Sequence, residues 1–265
     1  MPRHAHLFTS VIAGLLLGTV LLASSTRPAQ QAKRPARAKP VELPLPFRTG
    51  EKLDYRVQWS KLLNAATVRL SVAERRPLYG RDAWHFQALA HTIPPMRLLY
   101  ALDDQFDSYT EPVTLACLQY EMYLREQGKQ EDAVFRMSTE GDPAPGFGSA
   151  VRVLRGTRDP LGLLYYLRAV DWQHTREARS AVFDGKKLYE ARARLEVERS
   201  EISVPAGNYS ASQIEVRIYE RGHELAQTRF RVWLAHDAGR TPALIEAEVP
   251  LGSARVELVH VEPVF

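Results

Sequence analysis

The chain has 265 residues, of which 45% are hydrophobic and 25% charged, with a formal net charge of +4. This length allows a sizeable core, and a single cysteine, Cys117, excludes an internal disulfide. The sequence pI of 9.2 does not indicate a nucleic-acid-binding surface. Arg3 and five basic residues within 27–39 supply the excess, and without them the chain carries about −2.

Residues 1–25 have the layout of a secretory signal peptide. Arg3 precedes an uncharged apolar run over residues 7–23, and Ala23 and Ser25 place small side chains before a cut at Thr26. This predicts an exported, periplasmic protein. The run is also at the lower limit for a bilayer-spanning helix, so an uncleaved inner-membrane anchor is the alternative. The basic residues that follow favour cleavage.

Residues 26–42 are rich in Pro, Ala, Lys and Arg and show no apolar periodicity. This composition predicts a disordered basic linker. Its charge would attract it to anionic lipid headgroups near a membrane surface. The remaining residues, 43–265, are predicted to form a single β-rich domain.

Apolar and polar residues alternate along most of that domain, which is typical of strands with one buried face. The first example is Leu53, Tyr55, Val57 and Trp59. Further strands are predicted at residues 66–72, 84–90, 115–124, 133–137, 187–198, 212–220, 227–234, 244–249 and 254–261. Short turn sequences separate most of them, so antiparallel pairing is expected.

Two segments interrupt the alternation. Asp159 followed by Pro160 predicts a helix N-cap and first turn, with the helix ending near Val170. Residues 96–102, after two prolines, form a weaker helix candidate. About ten strands and one main helix predict a mainly β fold with a large curved antiparallel sheet, an open barrel or half-barrel, around that helix. A two-sheet β-sandwich is the alternative.

Five local motifs occur along the chain. They are FRTGEKLDYRVQW (residues 47–59), DPLGLLYYLR (159–168), VPAG (204–207), VWLAHD (232–237) and GSARVEL (252–258). In this order and spacing they resemble the bacterial exported-protein family catalogued as domain of unknown function 3108, over residues 43–262. One departure is at residues 64–66, where the family usually has a glycine-containing turn. The resemblance implies export and a mostly β fold, and it transfers no catalytic residue.

The sequence has no motif for a metal site, a nucleophile elbow or a phosphate loop. We therefore predict no catalytic residue, no metal and no cofactor. Asp103, Asp104 and Asp107 form an acidic cluster, which is interpreted as an exposed turn with solvated charges rather than an acid and base pair. Cys117 lies in an apolar stretch and is predicted to be a buried, inert thiol.

The predicted function is a non-enzymatic binding or carrier module for an apolar or amphiphilic envelope ligand. A curved sheet over a helix would leave an apolar groove. The residues predicted to line it are Met96, Leu99, Tyr100, Tyr165, Tyr166 and Arg168. A periplasmic scaffold or adaptor for an envelope protein is the alternative, and a hydrolase is third. The predicted partners are a lipid or other apolar ligand and an envelope protein, and no nucleic-acid partner is predicted.

Overall fold

The computed structural model describes residues 44–60, 63–139, 149–250 and 252–262. The predicted signal peptide, residues 1–25, and the predicted linker, residues 26–42, lie outside the described residues. Within the described parts of the chain, no helix combines the length and the hydropathy needed to cross a membrane.

Thirteen strands form one sheet in the described residues. The first seven are β1 Lys52–Trp59, β2 Leu63–Leu78, β3 Arg81–Thr92, β4 Asp103–Thr110, β5 Cys117–Glu126, β6 Lys129–Ser138 and β7 Ser149–Arg152. The last six are β8 Glu177–Phe183, β9 Leu188–Val204, β10 Gly207–Glu220, β11 His223–Ala235, β12 Pro242–Val249 and β13 Gly252–Glu262. Two helices accompany them: α1, Met96–Leu99, connects β3 to β4, and α2, Pro160–Ala169, lies between β7 and β8.

The strand order is β7-β6-β5-β4-β3-β2-β1-β13-β12-β11-β10-β9-β8. Neighbours pair antiparallel except β6 and β7, which are parallel. The first strand pairs with the last, with Lys52 opposite Glu262. The edge strands β7 and β8 do not pair with each other in the described residues, so the sheet is not closed. This confirms the predicted curved antiparallel sheet with one main helix and excludes the two-sheet sandwich.

The chain entering α2 connects strands from the two halves of the sheet. The amide of Cys117, at the start of β5, donates to Thr157 O at 2.8 Å. The next residue, Arg158, donates its amide to Ala181 O at 2.9 Å and accepts from the Phe183 amide at 2.8 Å, both in β8. Backbone hydrogen bonds immediately before the helix therefore connect β5, in one half of the sheet, to the edge strand β8 of the other half.

The two faces of the sheet differ in chemistry. The inner face, on which α2 packs, is apolar and carries the main core clusters. On the outer face, the cross-strand row Arg255, Glu246, Arg231 and Glu215 alternates in charge along four neighbouring strands. Within it, Arg255 contacts Glu246 at 2.6 Å and Arg231 contacts Glu246 at 3.2 Å. Opposite charges directly across strands stabilise a wet face modestly.

The prediction of an exposed acidic turn was wrong, because this segment is strand β4, Asp103–Thr110. Asp104 and Asp107 are each only 2% exposed. Asp104 accepts the Arg125 amide at 2.9 Å, and Asp107 accepts from His85 at 2.6 Å, as a hydrogen bond between ring Nε2 and the carboxylate. Neighbouring strands supply the partners that let these carboxylates be buried, and no local pattern reveals those partners.

Candidate functional site

Helix α2 is fixed at its N-terminus by Asp159, as predicted. The Asp159 carboxylate, fully buried, accepts the Gly162 amide at 2.8 Å and the Ser108 hydroxyl at 2.5 Å. The first bond caps the helix, and the second ties it to β4. Burial raises the pKa of Asp159, while these two hydrogen bonds oppose the shift.

The C-terminal end of α2 is fixed by a buried ion pair. Arg168, with a side chain only 1% exposed, donates to the two carboxylate oxygens of Glu51 at 2.6 and 2.8 Å and to Gly239 O at 2.8 Å. Burial lowers the pKa of Arg168, but the hydrogen bonds and charge of Glu51 outweigh it, so the net shift is upward. Arg240 adds hydrogen bonds to the last carbonyls, including Val170 O at 2.7 Å. The helix therefore has a defined position.

Aromatic packing closes the same end of the inner face. The Tyr165 ring stacks on Phe86 with centroids 3.8 Å apart, and Phe47 meets Tyr165 edge-on at 5.1 Å. The buried Tyr165 hydroxyl has no hydrogen-bond partner among the described residues, and burial raises its pKa. This end is filled by packed rings rather than by a cavity.

Two rows of apolar side chains cross the inner face of the sheet. Strand pairing gives the first row as Ala66, Val57, Val256, Ile245, Val232, Ile214 and Leu195. Every member is apolar, and neighbours sit directly opposite each other on adjacent strands. Val57, Val256 and Ile245 are only half-buried. Solvent therefore reaches apolar side chains that face the inside of the fold.

The next row has the same character. It consists of Trp59, Ala254, Ala247, Phe230, Val216, Ala193 and Ala178. Trp59 and Phe230 are half-buried, and the two alanines between them, Ala254 and Ala247, have small side chains that leave the row shallow there. None of the residues in either row is ionisable. We call Val57, Trp59, Phe230, Ile245 and Val256 the inner apolar surface.

Helix α2 borders this surface with side chains that are themselves half-buried. Leu164 and Tyr166 pack against both of the larger core clusters. The guanidinium of Arg158 lies over the Tyr166 ring at 3.6 Å. Burial lowers the pKa of this guanidinium, and the electrostatic effects of Tyr166 and Asp159 only partly oppose the shift. The guanidinium also donates to Ser180 Oγ at 2.9 Å. The side chains of α2 at this border are thus apolar or aromatic, and the Arg158 guanidinium packs on one of them, Tyr166.

The six residues predicted to line the groove occupy different environments. On α2, Tyr166 is half-buried beside the inner apolar surface, whereas Tyr165 and Arg168 are each 1% exposed and belong to the packing and ion pair described above. A ligand would contact these last two only by displacing their neighbours. The ligand-binding role of this set stays a prediction.

The other three predicted residues lie at α1. Met96 and Tyr100 are buried in a separate small cluster that also contains Leu102. Leu99 points to solvent and is 75% exposed. The structure therefore places the α1 and α2 residues in separate clusters, with Trp59 packed against the cluster at α1.

Sequence reasoning did not identify the inner apolar surface as a unit. The alternation in β1 places Val57 and Trp59 on one face, and the residues from β11 to β13 fall in predicted strands. Their assembly depends on strand register, which sets Val57 opposite Val256 and Val256 opposite Ile245. Period-two alternation predicts which residues share a face of a strand. Which residues lie opposite each other on neighbouring strands depends on long-range pairing.

An open cleft of about 540 Å³ lies on the outer face over β8, β9 and β10. Its walls are polar, and their charges are paired: Arg192 bonds Glu190 at 2.9 Å and Arg217 bonds Glu215 at 2.7 Å. In the described part of the chain, no group of three or more His, Cys, Asp or Glu side chains is placed to hold a metal ion. Cys117 is buried, and burial raises its pKa well above the usual value.

Two solved structures are similar to this chain to different degrees. A β-barrel-like protein of domain of unknown function DUF1849 from Brucella abortus has a TM-score of 0.51 at 10% identity, covering 80% of this chain and 96% of that one. A Bacteroides fragilis NCTC 9343 structure described as having a YmcC-like fold has a TM-score of 0.38 at 8% identity, covering 83% and 98%. At such identities the first likeness concerns the fold alone.

No curated protein sequence matches the chain significantly. The family model described as "Protein of unknown function (DUF3108)" matches residues 54–259. This range contains all of α2 and nearly all of β1 and β13, and so spans both halves of the sheet. It confirms the resemblance inferred from the five sequence motifs. The chain therefore belongs to the DUF3108 family of proteins of unknown function.

Proposed function

We propose that this protein is an exported, non-enzymatic binding protein that holds an apolar or amphiphilic ligand against the inner apolar surface. The observation that carries the proposal is the incomplete burial of five members of the two apolar rows, those that form the inner apolar surface, on the face that also packs on α2. A protein core that needed no ligand would cover these side chains. Contiguous exposed apolar surface in a soluble domain is commonly a binding site.

The chemistry of the surface favours an apolar chain as the occupant. The rows contain aliphatic and aromatic side chains and no ionisable group, so they offer no partner for a charged headgroup. Burying an exposed apolar side chain completely is worth about 1.5–3 kcal/mol. Five half-buried side chains therefore leave several kcal/mol available to a hydrocarbon ligand, whose polar end would remain in solvent.

The ionisable groups inside the fold support a non-enzymatic role. Glu51 and Arg168 neutralise each other, and Asp159 caps α2, so each has a structural task. An active site would require polar groups converging on a cleft next to a bound substrate. The inner apolar surface lacks such a group among the residues that compose it. Location in the periplasm is proposed from the signal-peptide pattern of residues 1–25.

Native mass spectrometry tests the proposal on protein purified from its own periplasm, combined with lipid extraction of the sample. A mass that begins at Thr26 and a co-purifying amphiphile are the expected result. A ligand-free protein that also fails to bind the fluorescent apolar probe N-phenyl-1-naphthylamine would refute ligand binding. The scaffold or adaptor function would then be tested by crosslinking in cells.

A matched pair of variants assigns the site. Ile245→Phe fills space on the inner face, and we expect it to weaken probe binding by roughly tenfold or more, the effect of about 1.4 kcal/mol. Glu246→Gln changes the next residue, whose side chain lies on the outer face, and should leave probe affinity unchanged. Equal effects of the two variants would contradict a site on the inner face. Circular dichroism confirms that both variants are folded.

A further inference from the structure

The short helix α1 carries the two most exposed large apolar side chains of the described residues. Leu98 is 86% exposed and Leu99 is 75% exposed. They are adjacent and follow two consecutive prolines in the β3–β4 connection. We call this pair the leucine tip. Isolated surface leucines are common, but two adjacent leucines with most of their surface in water need a further explanation.

The leucine tip is held in place by the residues around it. Met96 and Tyr100, on either side, are each 9% exposed and pack in the small cluster next to β2 and β3. Arg97 donates to both carboxylate oxygens of Asp103, at 2.9 and 2.7 Å. Because its neighbours are anchored inward and its flanking charge is paired, the tip presents two leucines and no unpaired charge.

Two backbone polar groups of the tip form hydrogen bonds within the protein. The Leu98 amide donates to Pro95 O at 3.1 Å, and the Leu99 carbonyl accepts from Gln127 Nε2 at 3.0 Å. Pro94 and Pro95 have no amide hydrogen to satisfy. In a lipid environment each unsatisfied backbone group costs several kcal/mol, so these two internal bonds lower the cost of inserting the tip into lipid.

The size of the tip argues against a protein as its partner. Stable protein interfaces bury roughly 800 Å² on each side, and two leucine side chains fall well short of that area. A bilayer needs no matching surface, since each apolar side chain that enters it contributes separately. Of the two classes of partner, the structure favours the membrane.

The tip is continuous with the inner apolar surface. The cluster that anchors it includes Ala90 and Leu102, and Trp59 and Val68 pack against that cluster. Trp59 belongs to the inner apolar surface, and Val68 also packs against the main core. Apolar side chains therefore run without interruption from the leucine tip to the proposed ligand site.

We propose that Leu98 and Leu99 insert into the apolar part of a lipid bilayer and dock the protein there, with the inner apolar surface next to the point of contact. The docking needs no charge, because Arg97 is neutralised by Asp103. Only the placement of a ligand site next to the point of contact rests on the proposed function. Membrane docking itself stands on the exposure of Leu98 and Leu99 and on the anchoring of their neighbours.

Co-sedimentation with large unilamellar vesicles of phosphatidylcholine tests the proposal on the mature chain. These vesicles carry no net charge, so the basic linker contributes little to binding. We expect the wild type to bind independently of salt and Leu98→Ser/Leu99→Ser to lose roughly a hundredfold in partition coefficient. The matched control is Val113→Ser/Leu154→Ser, which removes side chains 43% and 65% exposed at the opposite end of the sheet and should not change binding.

A second measurement does not depend on the serine variants folding. In Leu99→Cys, an environment-sensitive fluorophore attaches at position 99, since Cys117 is buried. Blue-shifted emission on addition of vesicles is expected. Absence of that shift, or equal vesicle binding by the tip variant and its control, would overturn the proposal. Binding of N-phenyl-1-naphthylamine in solution separates the two proposals. If the tip variant no longer binds vesicles but still binds the probe, both proposals are supported. If the protein binds vesicles but not the probe, only the proposed ligand site is refuted.

Discussion

Replacing Glu51 by Gln should destabilise the protein by about 3–4 kcal/mol. The Glu51 carboxylate is the sole carboxylate bonded to Arg168 in the described residues, and the guanidinium is 1% exposed. Glu51→Gln keeps the shape but leaves the buried cation with neutral acceptors, the new amide and Gly239 O. Removing one partner of a buried ion pair typically costs about 3–5 kcal/mol, and the remaining carbonyl contact places this case toward the lower end.

Urea unfolding at pH 7, followed by circular dichroism, measures the effect. Glu198→Gln is the control, because Arg176 and Glu198 form an ion pair with side chains 64% and 71% exposed. That variant should lose no more than about 1 kcal/mol. The reasoning is refuted if the two variants lose the same free energy.

The double variant Glu51→Gln/Arg168→Met measures how much of the loss comes from the interaction between the two side chains. Since the second change removes the stranded cation, the double variant should lose clearly less than the two single variants together, with a coupling of about 1–3 kcal/mol. Additive losses would show that the two side chains act independently. Probe binding should fall along with stability in Glu51→Gln, because the pair positions α2 beside the inner apolar surface.

Three further outcomes are expected. Burial raises the pKa of Asp104 from 3.8 to about 6, so the folded state binds the proton more tightly and stability falls as pH rises from about 4 to 6. Asp104→Asn should therefore gain about 3 kcal/mol at pH 8 and nothing at pH 3, measured by urea unfolding. Gly162→Ala should destabilise despite the better helix propensity of alanine, by about 1–3 kcal/mol in thermal unfolding, because the added Cβ would lie 3.0 Å from Asp159 Oδ2 and 3.3 Å from Ser108 Oγ. Asp159→Asn, which keeps the acceptor for the Gly162 amide, should lose less stability than Asp159→Ala, which should lose about 1–2 kcal/mol; equal losses would exclude capping as the cause.

Local patterns predicted the elements that carry their own signals. The alternation of Leu53 and Tyr55 identified β1, and Asp159 before Pro160 identified the start of α2, because both signals depend on neighbouring residues alone. Strand β8, with the sequence EARSAVF, was missed. Its inward positions include a small polar residue, Ser180, so the apolar alternation is weak, and it is a strand because Arg158 and β9 supply its partners.

The candidate site was less predictable than the fold. Arg168 was predicted to line the groove, whereas it pairs with Glu51, which is 117 positions away in the sequence, and no local pattern connects the two. The tyrosines of α2 were predicted as a group, although the helix turns Tyr165 into the core and leaves Tyr166 half-buried. Which apolar side chains remain in contact with solvent depends on how completely the sheet curls, and that follows from the pairing of all thirteen strands.

The pairing of β1 with β13 has a consequence for when this domain can be completed. Strands β1 to β7 and β8 to β13 each form a run of neighbours joined mostly by short turns, and such local hairpins form early. The two runs become one sheet only when residues near Lys52 meet residues near Glu262. During synthesis or translocation from the N-terminus, the β1 edge that pairs with β13 therefore stays unpaired until Gly252–Glu262 has emerged. A chaperone that binds exposed strand edges would find its target there for the whole of that interval.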